Sequence, residues 1–209
     1  MLKQVEFEVK NLAEAEKKAV ELLRVPLNMI TLEVIKDKKG ILGIGASTTY
    51  LATVNINLAL EGKKYLEAIA RGLGIDIKME MLTKDSGSDS EIKYNIISDE
   101  NALLIGREGR TLKAIQYLLR NYLNMFTDDF VIVNVDIGNY NKNRKKQLEI
   151  LATKRAKEVA QTKIEVKLDP MNAYERRIIH SKLSEWRDVT TISVGEGEER
   201  SIIIKPINK

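Results

Sequence analysis

The chain has 209 residues, of which 44% are hydrophobic and 31% charged, and a formal net charge of +4. Those proportions describe a globular protein of one to three modules, and no apolar run approaches the ~20 residues that a membrane-spanning helix needs. Absent cysteine excludes disulfides, thiolate zinc sites and thiol catalysis, while a single histidine, His180, excludes a histidine-built metal centre. The lack of cysteine and of a signal-like N-terminal segment predicts a cytoplasmic protein.

Charge is unevenly spread. Residues 1–60 carry a net +1, residues 61–138 a net −3 and residues 139–209 a net +6. A footprint for polyanions is therefore expected in the last third.

In chain order, residues 1–56 predict a small β-α-β-β unit. Val5, Phe7 and Val9 alternate with polar neighbours as in a half-buried strand. Asn11 is placed to cap a helix whose Leu12, Ala15, Ala19, Leu22 and Leu23 share one face. Alternation returns over Met29–Ile35, and Thr48–Ile56 is a further β-prone run. Between them, Lys36–Gly45 is rich in glycine and lysine. It lacks both the Gly-Lys-Ser/Thr ending of a Walker loop and the Rossmann glycine spacing, so it reads as a basic turn. Asn57–Lys64 is the expected connection to the next unit.

Residues 61–138 hold the first motif. Strand-like runs at Ile75–Met81 and Ile92–Ile97 flank a polar turn at Lys84–Ser90. Then Leu103-Leu104-Ile105 ends at Gly106-Arg107-Glu108-Gly109, and Thr111–Tyr122 follows with Leu112, Ile115, Leu118, Leu119 and Tyr122 at helical spacing. Phe130–Ile137 is the strongest strand signal of the chain. A Gly-x-x-Gly turn between two helices exposes backbone N–H groups and a helix's positive end, a surface suited to phosphate. The order helix, strand, strand, helix, Gly-x-x-Gly, helix, strand resembles a bacterial-type (type II) KH domain.

Residues 139–209 predict two helices and a hairpin. Residues 139–162 predict a long helix rich in lysine and arginine, with Leu148, Leu151, Ala152, Arg155, Ala156 and Val159 keeping helical spacing. Asp169-Pro170 predicts the start of a second helix. On it Arg176, His180 and Arg187 fall within about 40° of one another, opposite Met171, Tyr174, Ile178, Ile179, Leu183 and Trp186. Val189–Val194 and Ser201–Lys205 then predict a hairpin. A Ser-His-Asp triad is not supported, since Ser181 and Ser184 stand on the same helix as His180 without a nucleophile-elbow pattern.

Taken together, the three segments resemble the Jag family (SpoIIIJ-associated, KhpB-type RNA-binding proteins). The match rests on Lys38–Gly45 in the first unit, Leu104–Gly109 as the KH loop, and Arg176-Arg177-Ile178-Ile179-His180 as the R-three-H signature, with Thr191, Ser193, Gly195 and Arg200 in its hairpin. The resemblance implies an α+β protein of three small modules in series: a Jag N-terminal domain (1–56), a type II KH domain (61–138) and an R-three-H domain (139–209) with helices on a small antiparallel sheet. It implies a bacterial regulator that binds single-stranded RNA, linked to cell division and elongation. Single-stranded DNA stands as the other nucleic acid. A second KH-domain protein and the membrane-protein insertase are the implied protein partners.

The expected contacts are backbone-led. Gly106, Arg107, Glu108, Gly109, Arg110 and Lys113 form one site. Arg176, Arg177, His180 and Arg187, with Lys145 and Lys146 of the basic helix, form the other. Aromatic residues at 5% argue against a broad stacking platform. No catalytic residue, metal site or cofactor is expected. The rival expectation is a protein–protein adaptor associated with membrane-protein insertion, its KH unit a degenerate scaffold.

Overall fold

The computed structural model describes residues 1–38, 46–86 and 89–207. The expected basic turn at Lys36–Gly45 and the polar turn at Lys84–Ser90 thus fall in part outside the described residues. The chain divides into two compact units, Met1–Gly138 and Asn139–Lys209.

In the first unit, β1 (Gln4–Val9), α1 (Leu12–Leu23), β2 (Ile30–Lys38) and β3 (Ser47–Val54) form an antiparallel sheet of order β1-β3-β2 with a helix across it. Asn11 caps α1 by accepting a 2.9 Å hydrogen bond from the Glu14 N–H. Ala15, Ala19 and Ala52, all fully buried, are small enough to let the helix settle on Phe7, Tyr50 and Val54.

This core is not closed by its own residues. Phe126, from much later in the chain, packs into it, and the Lys3 N–H donates to the Phe126 carbonyl at 3.0 Å. The expected connection at Asn57–Lys64 is instead the start of α2 (Leu58–Gly72), capped by Asn57. Those turns must be helical because they pack inward. Glu61 is buried and accepts from the Tyr122 hydroxyl at 2.9 Å, while the Tyr94 hydroxyl donates to the Ala59 carbonyl at 3.0 Å.

α2 leads into β4 (Lys78–Ser86), β5 (Asp89–Ile97), α3 (Asn101–Ile105), α4 (Arg110–Asn124) and β6 (Val131–Ile137). The sheet order is β4-β5-β6, antiparallel for the first pair and parallel for the second, so α3 and α4 form the crossover between parallel neighbours. Along β6, Val131, Val133, Val135 and Ile137 are buried and meet Leu112, Ile115, Leu119 and Leu123 of α4, as the period-two alternation requires. Ile75 does not begin β4 as expected: its N–H donates to the Ala70 carbonyl at 2.9 Å and closes the end of α2.

In the second unit, α5 (Tyr140–Thr162) and α6 (Ala173–Leu183) pack on a sheet of order β7-β9-β8, built from Val166–Lys167, Ser201–Pro206 and Val189–Val194 respectively. The core is Leu148, Ala152, Ala156 and Val159 of α5 with Ile179, Leu183, Ile202 and Ile204. The expected α6 start at Asp169-Pro170 is corrected to Asn172. Residues before it are held extended along β9, the Leu168 N–H donating to Ile202 and the Met171 N–H to Arg200. Only past that tether can the chain turn, and Asn172 and Glu175 then form a reciprocal capping box. Fold class is α+β, as expected, with the modules in series.

Candidate nucleic-acid interface

The glycine corner is built by backbone conformation. Gly106 has φ 68° and ψ 179°, a combination open in practice only to glycine, and Gly109 follows at φ 74° as the left-handed residue before α4. A Cβ on Gly106 would stand 2.1 Å from Thr111 Oγ1 and 2.8 Å from its Cβ, so the corner closes on the next helix with no room to spare. Glu108 also lies at positive φ, 54°, an uncommon state for glutamate. α4 begins without a side-chain cap. No side chain of the corner hydrogen-bonds the first N–H groups of α4, although the Glu108 carboxylate belongs to the same corner. Arg107, Arg110 and Lys113 are exposed around it, giving a local excess of positive charge in a segment whose net charge is negative.

The second set of expected contacts separates into three. Arg176 and His180 are one turn apart on α6, but both are committed to their own unit. Arg176 Nη1 donates to the Met171 carbonyl at 2.7 Å, holding the entry to the helix. His180 Nδ1 lies 2.6 Å from Thr191 Oγ1 and Nε2 lies 3.1 Å from Ser193 Oγ, so its ring joins α6 to β8 through both nitrogens. A hydroxyl both donates and accepts, so a neutral imidazole satisfies both contacts in either tautomer. Burial, and then the nearby Arg176 guanidinium, lowers the His180 pKa below its ordinary 6.5.

Arg187 is not part of the helical stripe. α6 ends at Leu183, where the chain turns towards β8, and Arg187 stands exposed in the connection. Trp186, placed with it on the expected helix, packs from that connection against the core. The third group consists of Arg177, Lys145 and Lys146. All are exposed, and they face the outer seam between α5 and α6, around Glu149.

Missing from the expected site were the Thr191 and Ser193 hydroxyls as partners of His180. The signal was present: their i, i+2 spacing on a strand puts both on one face. Buried Glu175 was also overlooked. It ties α6 to α5 by accepting from Arg144 Nε at 2.8 Å. Among the described residues no group of three or more His, Cys, Asp or Glu side chains is placed to hold a metal, and no helix is long and apolar enough to cross a membrane.

Comparison with known proteins places both motifs. The model of the KhpA/KhpB KH domain matches residues 63–137, and that of the R-three-H domain matches residues 146–206. The RNA-binding protein KhpB of Clostridium symbiosum is 36% identical over 199 residues, which cover 93% of this chain and 88% of that protein. The RNA-binding protein KhpB of Bacillus subtilis is 34% identical over 200 residues, covering 93% and 94%. That of Lactiplantibacillus plantarum is 35% identical over 143 residues, 67% of this chain and 42% of the other. With two near full-length relatives and both domains in the same order, the chain belongs to the KhpB (Jag) family.

Proposed function

We propose that the chain is a non-catalytic RNA-binding protein that holds single-stranded RNA, and that it acts in the cytoplasm as a post-transcriptional regulator of cell division and elongation. The relatives carry the name RNA-binding protein, and the KH and R-three-H domains are the parts they share with this chain. The observation that carries the reading is the corner at Gly106–Gly109, where a glycine-only conformation, an uncapped fifteen-residue helix and exposed Arg107, Arg110 and Lys113 converge. Phosphates of a strand would sit against that backbone, with Arg107 and Arg110 alongside. In the second unit the exposed cations Arg177, Arg187, Lys145 and Lys146 would hold a neighbouring stretch of strand. Arg176 and His180 would act there by positioning the helix and the β8 hydroxyls. This reading takes the chain as three modules, 1–56, 61–138 and 139–209. Two modest sites on one chain raise each other's effective concentration.

The test is Arg107→Asp with Glu108→Asp. Aspartate tolerates the left-handed backbone of position 108 better than most residues, so thermal stability should hold while affinity for a single-stranded RNA falls. Unchanged affinity would remove the corner from the mechanism. Purification free of nucleic acid, with a protein partner such as a second KH-domain protein or the insertase retained despite nuclease, would favour an adaptor.

A further inference from the structure

On the outer side of the second unit, α5 and α6 lie beside each other and leave two depressions that meet at Glu149 and Lys182. The larger, about 500 Å³, is flanked by Lys146, Ile150, Thr153, Lys154 and Lys157. The smaller, about 350 Å³, is flanked by Lys145, Tyr174, Arg177 and Ser181. Six cations thus surround one carboxylate. Lys146, Lys154, Lys157, Arg177 and Lys182 make no ion pair among the described residues, so the groove carries an excess of positive charge. None of these cations belongs to the core, which the groove meets only at Ile178. Tyr174, expected in the packed arc, is instead 63% exposed at the mouth of the smaller depression, and Ile150 is 68% exposed at the larger.

We propose that this α5–α6 groove is a channel for single-stranded RNA, in which Lys154, Lys157, Lys182 and Arg177 meet phosphates and Tyr174 stacks on a base. The inference rests on the RNA-binding reading above. It extends the contacts assigned above to Arg177, Lys145 and Lys146 along the seam between α5 and α6 and adds a base-stacking side chain. Glu149 can accept hydrogen bonds from ribose 2′-hydroxyls and base amino groups, which a nucleic-acid strand brings along with its phosphates. A concave groove also suits a strand better than a flat bilayer.

The experiment uses the full chain and follows anisotropy of a fluorescein-labelled, mixed-sequence single-stranded RNA across a salt series. Lys154→Ala with Lys157→Ala and Lys182→Ala should weaken binding about tenfold or more and flatten the log–log salt slope by about 2, at roughly 0.7 per phosphate contact. The corresponding triple arginine variant should keep the slope. Tyr174→Ala should lose about 5- to 150-fold with the slope unchanged, and Tyr174→Phe should bind as the parent does. All four side chains are exposed, so unfolding temperatures should not move. A parent that binds RNA, alongside a triple alanine variant of equal affinity and slope, overturns the groove and spares the wider reading. A parent that does not bind overturns both. Loss of binding to phosphatidylglycerol vesicles in the triple variant, with RNA affinity retained, assigns the groove to a membrane and also overturns the proposal.

Discussion

If His180 holds α6 to β8, its replacement must cost stability, and the cost must depend on pH with a definite sign. His180→Ala removes two hydrogen bonds, at 2.6 and 3.1 Å, and leaves the Thr191 and Ser193 hydroxyls without their partner. At about 0.5–1.5 kcal/mol net for each bond, the loss is about 1–3 kcal/mol at neutral pH. The native imidazole has a pKa below 6.5, from burial and from Arg176. Well above pH 6.5 both folded and unfolded states are neutral at this residue, so its contribution is constant. As pH falls through 6.5 the unfolded chain takes up a proton that the folded state resists. Stability is then lost until the lowered native pKa is reached.

The single tryptophan, Trp186, packs in the same unit and reports its unfolding by fluorescence. Urea titrations of parent and variant near pH 7.5, 6.5 and 5.5 give the difference free of the carboxylates, which titrate in both proteins. The gap between parent and variant should be widest at pH 7.5 and narrow towards pH 5.5. A gap that is absent, or that widens in acid, would refute the assignment and return His180 to the role of a cationic phosphate contact.

Two further outcomes follow from the same reasoning. Gly106→Ala should destabilise the first unit by at least the ~1–3 kcal/mol of a disallowed backbone conformation, since the new Cβ also meets Thr111; adding Thr111→Ala should recover only part, as measured by chemical denaturation, because the conformational strain stays. Glu175→Ala breaks both the capping box and the Arg144 ion pair and should lower the stability of the second unit by about 3–5 kcal/mol; a loss under 1 kcal/mol by Trp186 fluorescence would deny the pair its role in joining α5 to α6.

The elements that could be read from the chain alone are those whose cause is local. The alternation of Val131, Val133, Val135 and Ile137 has one structural solution, a strand with one face in a core, and β6 is that strand. Asn11 lies where a side-chain oxygen reaches the first free N–H groups of α1, and it caps as expected. The glycine corner was legible for the same reason, because Gly106 and Gly109 answer to steric limits set within a few residues. Where a longer tether competes, local signals fail: Asp169-Pro170 is a good helix start by chemistry, yet pairing with β9 delays the helix to Asn172.

Composition and spacing therefore determined the class, the order of modules and the positions of the two motifs, since propensity and periodicity act over single turns and strands. Only the tertiary structure decided what each polar side chain does. Periodicity puts Arg176 and His180 on one face of α6, but β8 brings Thr191 and Ser193 opposite His180 from 11 and 13 residues further on, and so turns the ring into a link inside the unit. Periodicity likewise consigns Tyr174 to the packed arc, whereas the placing of α5 leaves it at the mouth of a cationic groove. A repeat along one helix specifies which residues share a face; which neighbour covers that face is settled by contacts distant in sequence, and these have no local signature.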